Sequence, residues 1–444
     1  MRQHGAASVL CAQVVPPFPK GGPGTPDIVE DKRRRCKARA RSPAKAAGKL
    51  PALSAARALL LRADSSLACA AMGALDGIKV IEMAGLAPAP YCGLILADFG
   101  ADVVRVDRPG AGSMDQLARG KRSVAVNLKD PQGVEAVLRL AEKADVLIEP
   151  YRPGVMERLG LGPEVACARN PRLVYARLTG YGQTGPYASM AGHDINYIAI
   201  SGALSLIGRR GEKPLAPINL VGDFAGGGML CALGIGFALV ERARSGKGQV
   251  VDAAMVDGAA HLCTFLYKFR AAGFWKDERG TNMLDSGAPF YDTYATKDGK
   301  YVSVGAIEPQ FYAALLKGLG IDPATMPHQH DQTKWPATAA KFAEVFAIRT
   351  RDEWAAIFDG TDACVAPVLG LGEAAQHPHN AARDTLLVGA NGHAEPAPAP
   401  RLSRTPGQAG AKMPEVGQHT AAVFAEFGFS AAEIQALTAS GAIA

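Results

Sequence analysis

"IKVIEMAGLAPAPYCGLILADFGADVVRVDRP", residues 78–109, holds two short apolar runs with a helical pattern between them. The first run, "IKVIEMA" (78–84), has the length of one strand. "APYCGLILADFG" (89–100) has apolar residues at helical spacing and ends in glycine. "ADVVRVDRP" (101–109) is a second strand, stopped by Pro109, which cannot donate to a ladder. Strands alternating with helices predict a parallel sheet with crossover helices. The turn after the first strand reads "AGLAPAPYCG" rather than G-x-G-x-x-G, which argues against a dinucleotide oxidoreductase.

The alternation continues outward. "PQGVEAVLRLAEKA" (131–144) is helical with Pro131 in its first turn, and "DVLIEPY" (145–151) and "LVYARLTG" (173–180) are further strands. The order predicts an α/β fold whose large domain is a doubly wound, Rossmann-like parallel sheet. "AGGGMLCALGIGFALVERARSG" (225–246) reads as a long buried core helix closed by Arg242, Arg244 and Gly246. "GAPFYDTYATKDGKYVSVGAI" (287–307) reads as a hairpin around "KDGK", opening a smaller α/β domain. The expected organisation is a large domain over 72–260, completed by about 395–444, and a small α/β domain over 287–370. Linkers span 261–286 and 371–394. The proline-rich "NGHAEPAPAPRLSRTPGQAG" (391–410) reads as a strap running back to the large domain.

Residues 1–71 differ in kind. They hold 13 Lys+Arg against 4 Asp+Glu, whereas the remainder holds 35 against 38, so the net charge of +6 belongs to this extension. "VVPPFPKGGPGTP" (14–26) and "DKRRRCKARARSPAKAAGK" (31–49) carry too few apolar residues to offset chain entropy, and disorder is expected. The Arg-rich, acid-poor character also fits a targeting segment, and "KRRRCKARAR" a nuclear signal. "MGALDGIKVIEMAG" at 72–85 looks like a natural start. Beyond the extension nothing favours nucleic acid. No window approaches ~18 uninterrupted apolar residues, so no membrane span is expected. The eight cysteines form no C-x-x-C pair and no zinc-ligand spacing, which points to a reducing compartment and a cytoplasmic protein. H-E-x-x-H and G-x-S-x-G are absent, and "SGKGQ" (245–249) lacks the Ser or Thr and the glycine spacing of a P-loop.

Three groups of residues could carry chemistry. His193 and Asp194, in "GHDINY" (192–197), set two titratable groups side by side in an apolar, glycine-bounded stretch. Asp223 precedes the glycine run of "VGDFAGGG" (221–228). It has the position of a helix N-cap, and equally that of a carboxylate whose glycine neighbours let a bulky thioester approach. Glu308, in "VGAIEPQFY", follows a strand and precedes a proline, where a first-turn acid suits the helix dipole. Arg108 and Arg152 close predicted strands and Arg158 follows. Ligands bind beyond the carboxyl ends of such strands, and arginines there suit phosphate or pyrophosphate, although surface salt bridging has the same signature.

"GHDINY", "NLVGDFAGGGML", "SGKGQVVDAAMVDG", "NMLDSGAPFYDTY" and "VGAIEPQFY" together resemble the class III CoA-transferase superfamily, in its branch that racemises 2-methylacyl-CoA thioesters. The likeness runs from about Met72 to the proline-rich strap. It implies His193 and Asp223 as two catalytic bases, Glu308 as a group orienting His193, and Asp194 as a neighbour tuning the pair. It implies that Arg108, Arg152 and Arg158 hold CoA phosphates. It further implies an interlocked homodimer in which the glutamate comes from the partner subunit. The expected substrate is a small-molecule acyl-CoA, with no metal, flavin or nicotinamide; CoA belongs to the substrate. The rival within the superfamily is an acyl-CoA:carboxylate CoA-transferase with Asp223 as nucleophile, which needs no second base. A non-catalytic CoA-binding protein would keep the arginines but has no use for His193, Asp223 and Glu308 together.

Overall fold

The computed structural model describes residues 73–112, 116–389, 392–410 and 412–444; the expectations for residues 1–71 lie outside them. The chain builds β1 (Lys79–Met83), helix α1 (Pro88–Asp98), β2 (Asp102–Asp107), β3 (Arg122–Ala125), α2 (Pro131–Glu142) and β4 (Val146–Glu149). Two short helices follow, α3 (Val155–Arg158) and α4 (Pro163–Arg169), then β5 (Val174–Thr179). After a long excursion comes β6 (Val250–Ala254). These six strands are all parallel, in the order β3-β2-β1-β4-β5-β6. The order reverses between β1 and β4, leaving a crevice beyond their carboxyl ends.

Both faces of the sheet are covered, which is why its strands read as unbroken apolar runs. Ile81, Met83, Val104, Val106 and Leu147 point to α2 and to the C-terminal residues Val423, Phe424, Phe427 and Ile443. Val80, Val103, Val146, Ile148 and Val174 point to Ala89, Cys92 and Leu96 of α1 and to a second covering helix. Each such side chain contributes ~1.5–3 kcal/mol on full burial. The C-terminal segment lies along the β3 edge, where Ile443 bridges Val126 antiparallel and Thr420 Oγ1 accepts the Ala125 N–H at 3.1 Å. The strap preceding it donates the Gln408 N–H to the Asp98 carbonyl at 2.7 Å.

A second, antiparallel sheet follows, of β7 (Tyr291–Ala295), β8 (Tyr301–Gly305) and β9 (Val365–Pro367). The hairpin around "KDGK" is therefore present. It has its own core, built on Phe290, Tyr294, Val302, Phe342, Phe346 and Trp354.

Two expectations need correction. The long apolar helix begins earlier than its sequence pattern: a π-helical segment, Leu220–Met229, runs into an α-helix, Leu230–Ser245. It is also buried on one side only. Cys231, Ala232, Ile235 and Ala238 pack on the sheet, while Met229, Leu233, Phe237 and Val240 are exposed. By length and composition alone this stretch could cross a membrane, and its sheet-facing side marks it instead as a covering helix.

Of the ion pairs described in the large sheet, one is sealed completely. Lys121 Nζ meets Glu82 Oε2 at 2.8 Å with both side chains fully buried, and also donates to the Pro90 carbonyl at 2.8 Å. Gly93 of α1 covers the pair so closely that a Cβ there would overlap Glu82 Oε2 and lie 3.2 Å from Lys121 Nζ. Gly93→Ala should therefore force a buried ion pair apart, at a cost of about 3–5 kcal/mol. Gly372→Ala, where nothing lies within 4 Å, should shift stability by less than ~0.5 kcal/mol. Urea unfolding of the two variants checks this, and equal midpoints would contradict it.

Candidate active site

The excursion between β5 and β6 carries the site. Helix α5 (Asp194–Ile200) opens with His193 at its N-cap, in an extended conformation with φ −132° and ψ 174°. The Asn196 side chain reaches back and accepts the His193 N–H at 3.1 Å. His193 itself is exposed, whereas Asp194 is only 3% exposed.

Asp194 is turned away from its own helix. Its Oδ2 accepts the Gly222 N–H at 2.6 Å and the Asp223 N–H at 2.7 Å. Those amides lie in the first turn of the π-helical segment, where backbone donors have no partner within the helix. A carboxylate at such an end is favoured by charge and by two charge-assisted bonds. Asp194 thus caps a second helix and fixes Asp223 beside His193. Its other oxygen, Oδ1, is buried without a hydrogen-bond partner.

Asp223 is half-buried, and Asn219 Nδ2 donates to its Oδ2 at 3.2 Å. Burial pushes its carboxyl above the usual carboxylate range and the charge of Asp194 adds to the rise, while the Asn219 bond and His193 oppose it. The local winding is π-helical, with the Phe224 N–H reaching the Asn219 carbonyl at 3.3 Å, and such windings recur at functional sites.

The glycine run has a different use from the one expected. A Cβ at Gly226 would lie 2.8 Å from the Ala259 N of helix α6 (Met255–Leu262), and one at Gly228 would lie 2.6 Å from the Pro88 carbonyl oxygen of α1. Gly226, Gly227 and Gly228 are all buried. They let three backbones approach each other; they are not an open path for a ligand.

The three arginines follow the carboxyl ends of two parallel strands. Arg108 directly follows β2, Arg152 comes three residues after β4, and Arg158 ends α3. In the sheet order β2 and β4 flank β1, so these residues bracket the reversal point. All three are exposed, and among the described residues none has an ion pair or side-chain hydrogen bond. Arg105, Arg119, Arg122, Arg177 and Arg242 differ: each is held by a carboxylate at 2.6–2.8 Å.

Glu308 is placed elsewhere. It is the exposed N-cap of helix α7 (Pro309–Leu319) and acts electrostatically on Cys364. Among the described residues no hydrogen bond or ion pair joins it to His193. One chain thus unites His193, Asp194 and Asp223 and leaves Glu308 outside. Sequence reasoning missed Asn219. Its only sign is an amide side chain four residues before Asp223, one helical turn away.

A family model described as CoA-transferase family III matches residues 75–420. The chain is 56% identical to the alpha-methylacyl-CoA racemase of Mus musculus over 361 residues, covering 81% of this chain and 95% of that one. It is 54% identical to the alpha-methylacyl-CoA racemase of Homo sapiens over 366 residues, covering 82% and 96%. A CAIB/BAIF family protein of Brucella suis, known from its crystal structure, superposes with a TM-score of 0.70 at 28% identity, covering 80% of this chain and 99% of that one. The family model spans the reversed parallel sheet, the Asp194-capped pair and the hairpin domain alike, and the chain belongs to CoA-transferase family III.

Proposed function

We propose that this protein is an isomerase that interconverts the R and S forms of 2-methylacyl-CoA thioesters. The observation that carries this is the Asp194 carboxylate, which draws the Asp223 backbone against the start of the His193 helix. Identity above one half to two racemases supports the same reading.

The chemistry follows from the residues. The hydrogen on the carbon beside a thioester carbonyl is weakly acidic. Inversion there needs a base on one face and a conjugate acid on the other. His193 and Asp223 supply an imidazole and a carboxyl of raised pKa, sharing one proton between them. As the proton leaves, charge builds on the carbonyl oxygen. The Asp194 and Ile195 amides open α5 without an acceptor inside it, and are suited to that oxyanion. Arg108, Arg152 and Arg158 would take the CoA phosphates, being unpaired cations at the sheet reversal. Such a reaction calls for no metal, flavin or nicotinamide.

A homodimer accompanies this reading. The exposed stripe of Met229, Leu233, Phe237 and Val240 recurs at helical spacing, and Glu308 is free of His193 within one chain. An interlocked pair of subunits would cover the stripe and bring the partner's small domain, residues 287–370, to the large-domain site. Light scattering on dilution tests it. Mass should stay that of a dimer until the chain unfolds; native monomers with unchanged circular dichroism would contradict it.

One enantiomer of a 2-methylacyl-CoA, incubated in heavy water, tests the activity. The product should be a mixture of both enantiomers with deuterium at the α-carbon. The transferase alternative predicts no α-deuterium and inactivation by hydroxylamine through an acyl group on Asp223. That pair of results would replace the isomerase reading.

A further inference from the structure

Tyr197 lies one turn beyond His193 on α5 and is 8% exposed. Its hydroxyl donates to the carbonyl of Gly192, the residue directly before His193. Its ring occupies a slot that only glycines permit. A Cβ at Gly180 would overlap the ring, and one at Gly192 would lie 2.7 Å from Cε1 and 2.9 Å from the Tyr181 hydroxyl. Gly180 directly follows β5, and its carbonyl accepts the Val256 N–H at 3.0 Å, so this wall of the slot is fixed to the sheet. Tyr181 closes the slot, meeting the Tyr197 ring edge-on at 5.0 Å and 86°.

We propose that Tyr197 is the positioning residue for His193, its hydroxyl holding the Gly192 carbonyl while its ring anchors the start of α5 to the end of β5. This rests on the two-base reading above. His193 is an exposed N-cap residue, joined to the chain before it through a glycine, the residue with the greatest backbone freedom. Left to itself such a joint would let the imidazole wander. Tyr197 restrains it at the carbonyl next to the joint. Burial pushes the tyrosine hydroxyl up to about 12, and the Asp223 charge adds to that rise, so it stays a donor at neutral pH. Asp223 has separate supports in Asn219 and Asp194. Loss of the hydroxyl should therefore disturb one face of the substrate more than the other.

Tyr197→Phe keeps the ring and removes the hydroxyl. Each enantiomer is supplied separately in heavy water, and α-proton exchange is followed before inversion accumulates. For the enantiomer whose proton faces His193, exchange should fall about tenfold or more with KM unchanged. Exchange of the other enantiomer should stay within about twofold, since its base keeps its geometry. Unchanged exchange on both faces, an equal fall on both, or a fall confined to the Asp223 face would overturn the proposal. Failure of the underlying reading looks different: the wild-type protein would then exchange neither enantiomer.

Discussion

The site depends on one buried carboxylate. Asp194 is sequestered from water, and a charge in that position must be met by donors or it costs several kcal/mol. It finds them in two backbone amides, Gly222 and Asp223, on another helix. Charge-assisted bonds contribute ~1.5–3 kcal/mol each. The same contact therefore stabilises the crossing of α5 with the π-helical segment and brings His193 and Asp223 together. The glycines on either side make the crossing possible. A Cβ at Gly222 would lie 2.7 Å from Asp194 Oδ2, closer than a carbon and an oxygen can pack, so a side chain there would push the carboxylate off its amides.

Around this contact the sheet supplies rigidity and direction. Strand order reverses between β1 and β4, and Arg108, Arg152 and Arg158 follow the carboxyl ends of β2 and β4. The paired arginines elsewhere in the domain hold the structure together. Among the described residues these three pair with no carboxylate. Behind the crevice, the fully buried Glu82–Lys121 pair ties α1 and the start of β3 to β1.

Strands β1, β2, β4 and β5 are legible in the sequence because both of their faces are buried, so each is a near-continuous apolar run. Strands β3, "RSVA", and β6, "VVDAA", are not. β3 is four residues long and begins with Arg122 and Ser123, while β6 is partly exposed along its length. His193 and Asp223 stand out as titratable groups in apolar, glycine-rich surroundings, and the motifs around them identify the family. What local spacing hides is direction. Sequence position sets Asp194 beside His193, whereas its hydrogen bonds go to residues 28 and 29 positions away. The run after Asp223 suggests room for a ligand, whereas its glycines serve helix packing. Asn219 and Tyr197 act through hydrogen bonds that no pattern of charge or hydropathy announces.

The central claim is that Asp194 assembles the site by holding another helix, and Asp194→Ala tests it most directly. The readout is α-proton exchange of each enantiomer, measured beside circular dichroism. With both halves released from each other, exchange should fall on both faces together, by about a hundredfold, while the fold persists. Exchange near the wild-type rate on both faces would contradict the claim, since two bases that hold their places without that carboxylate do not depend on it.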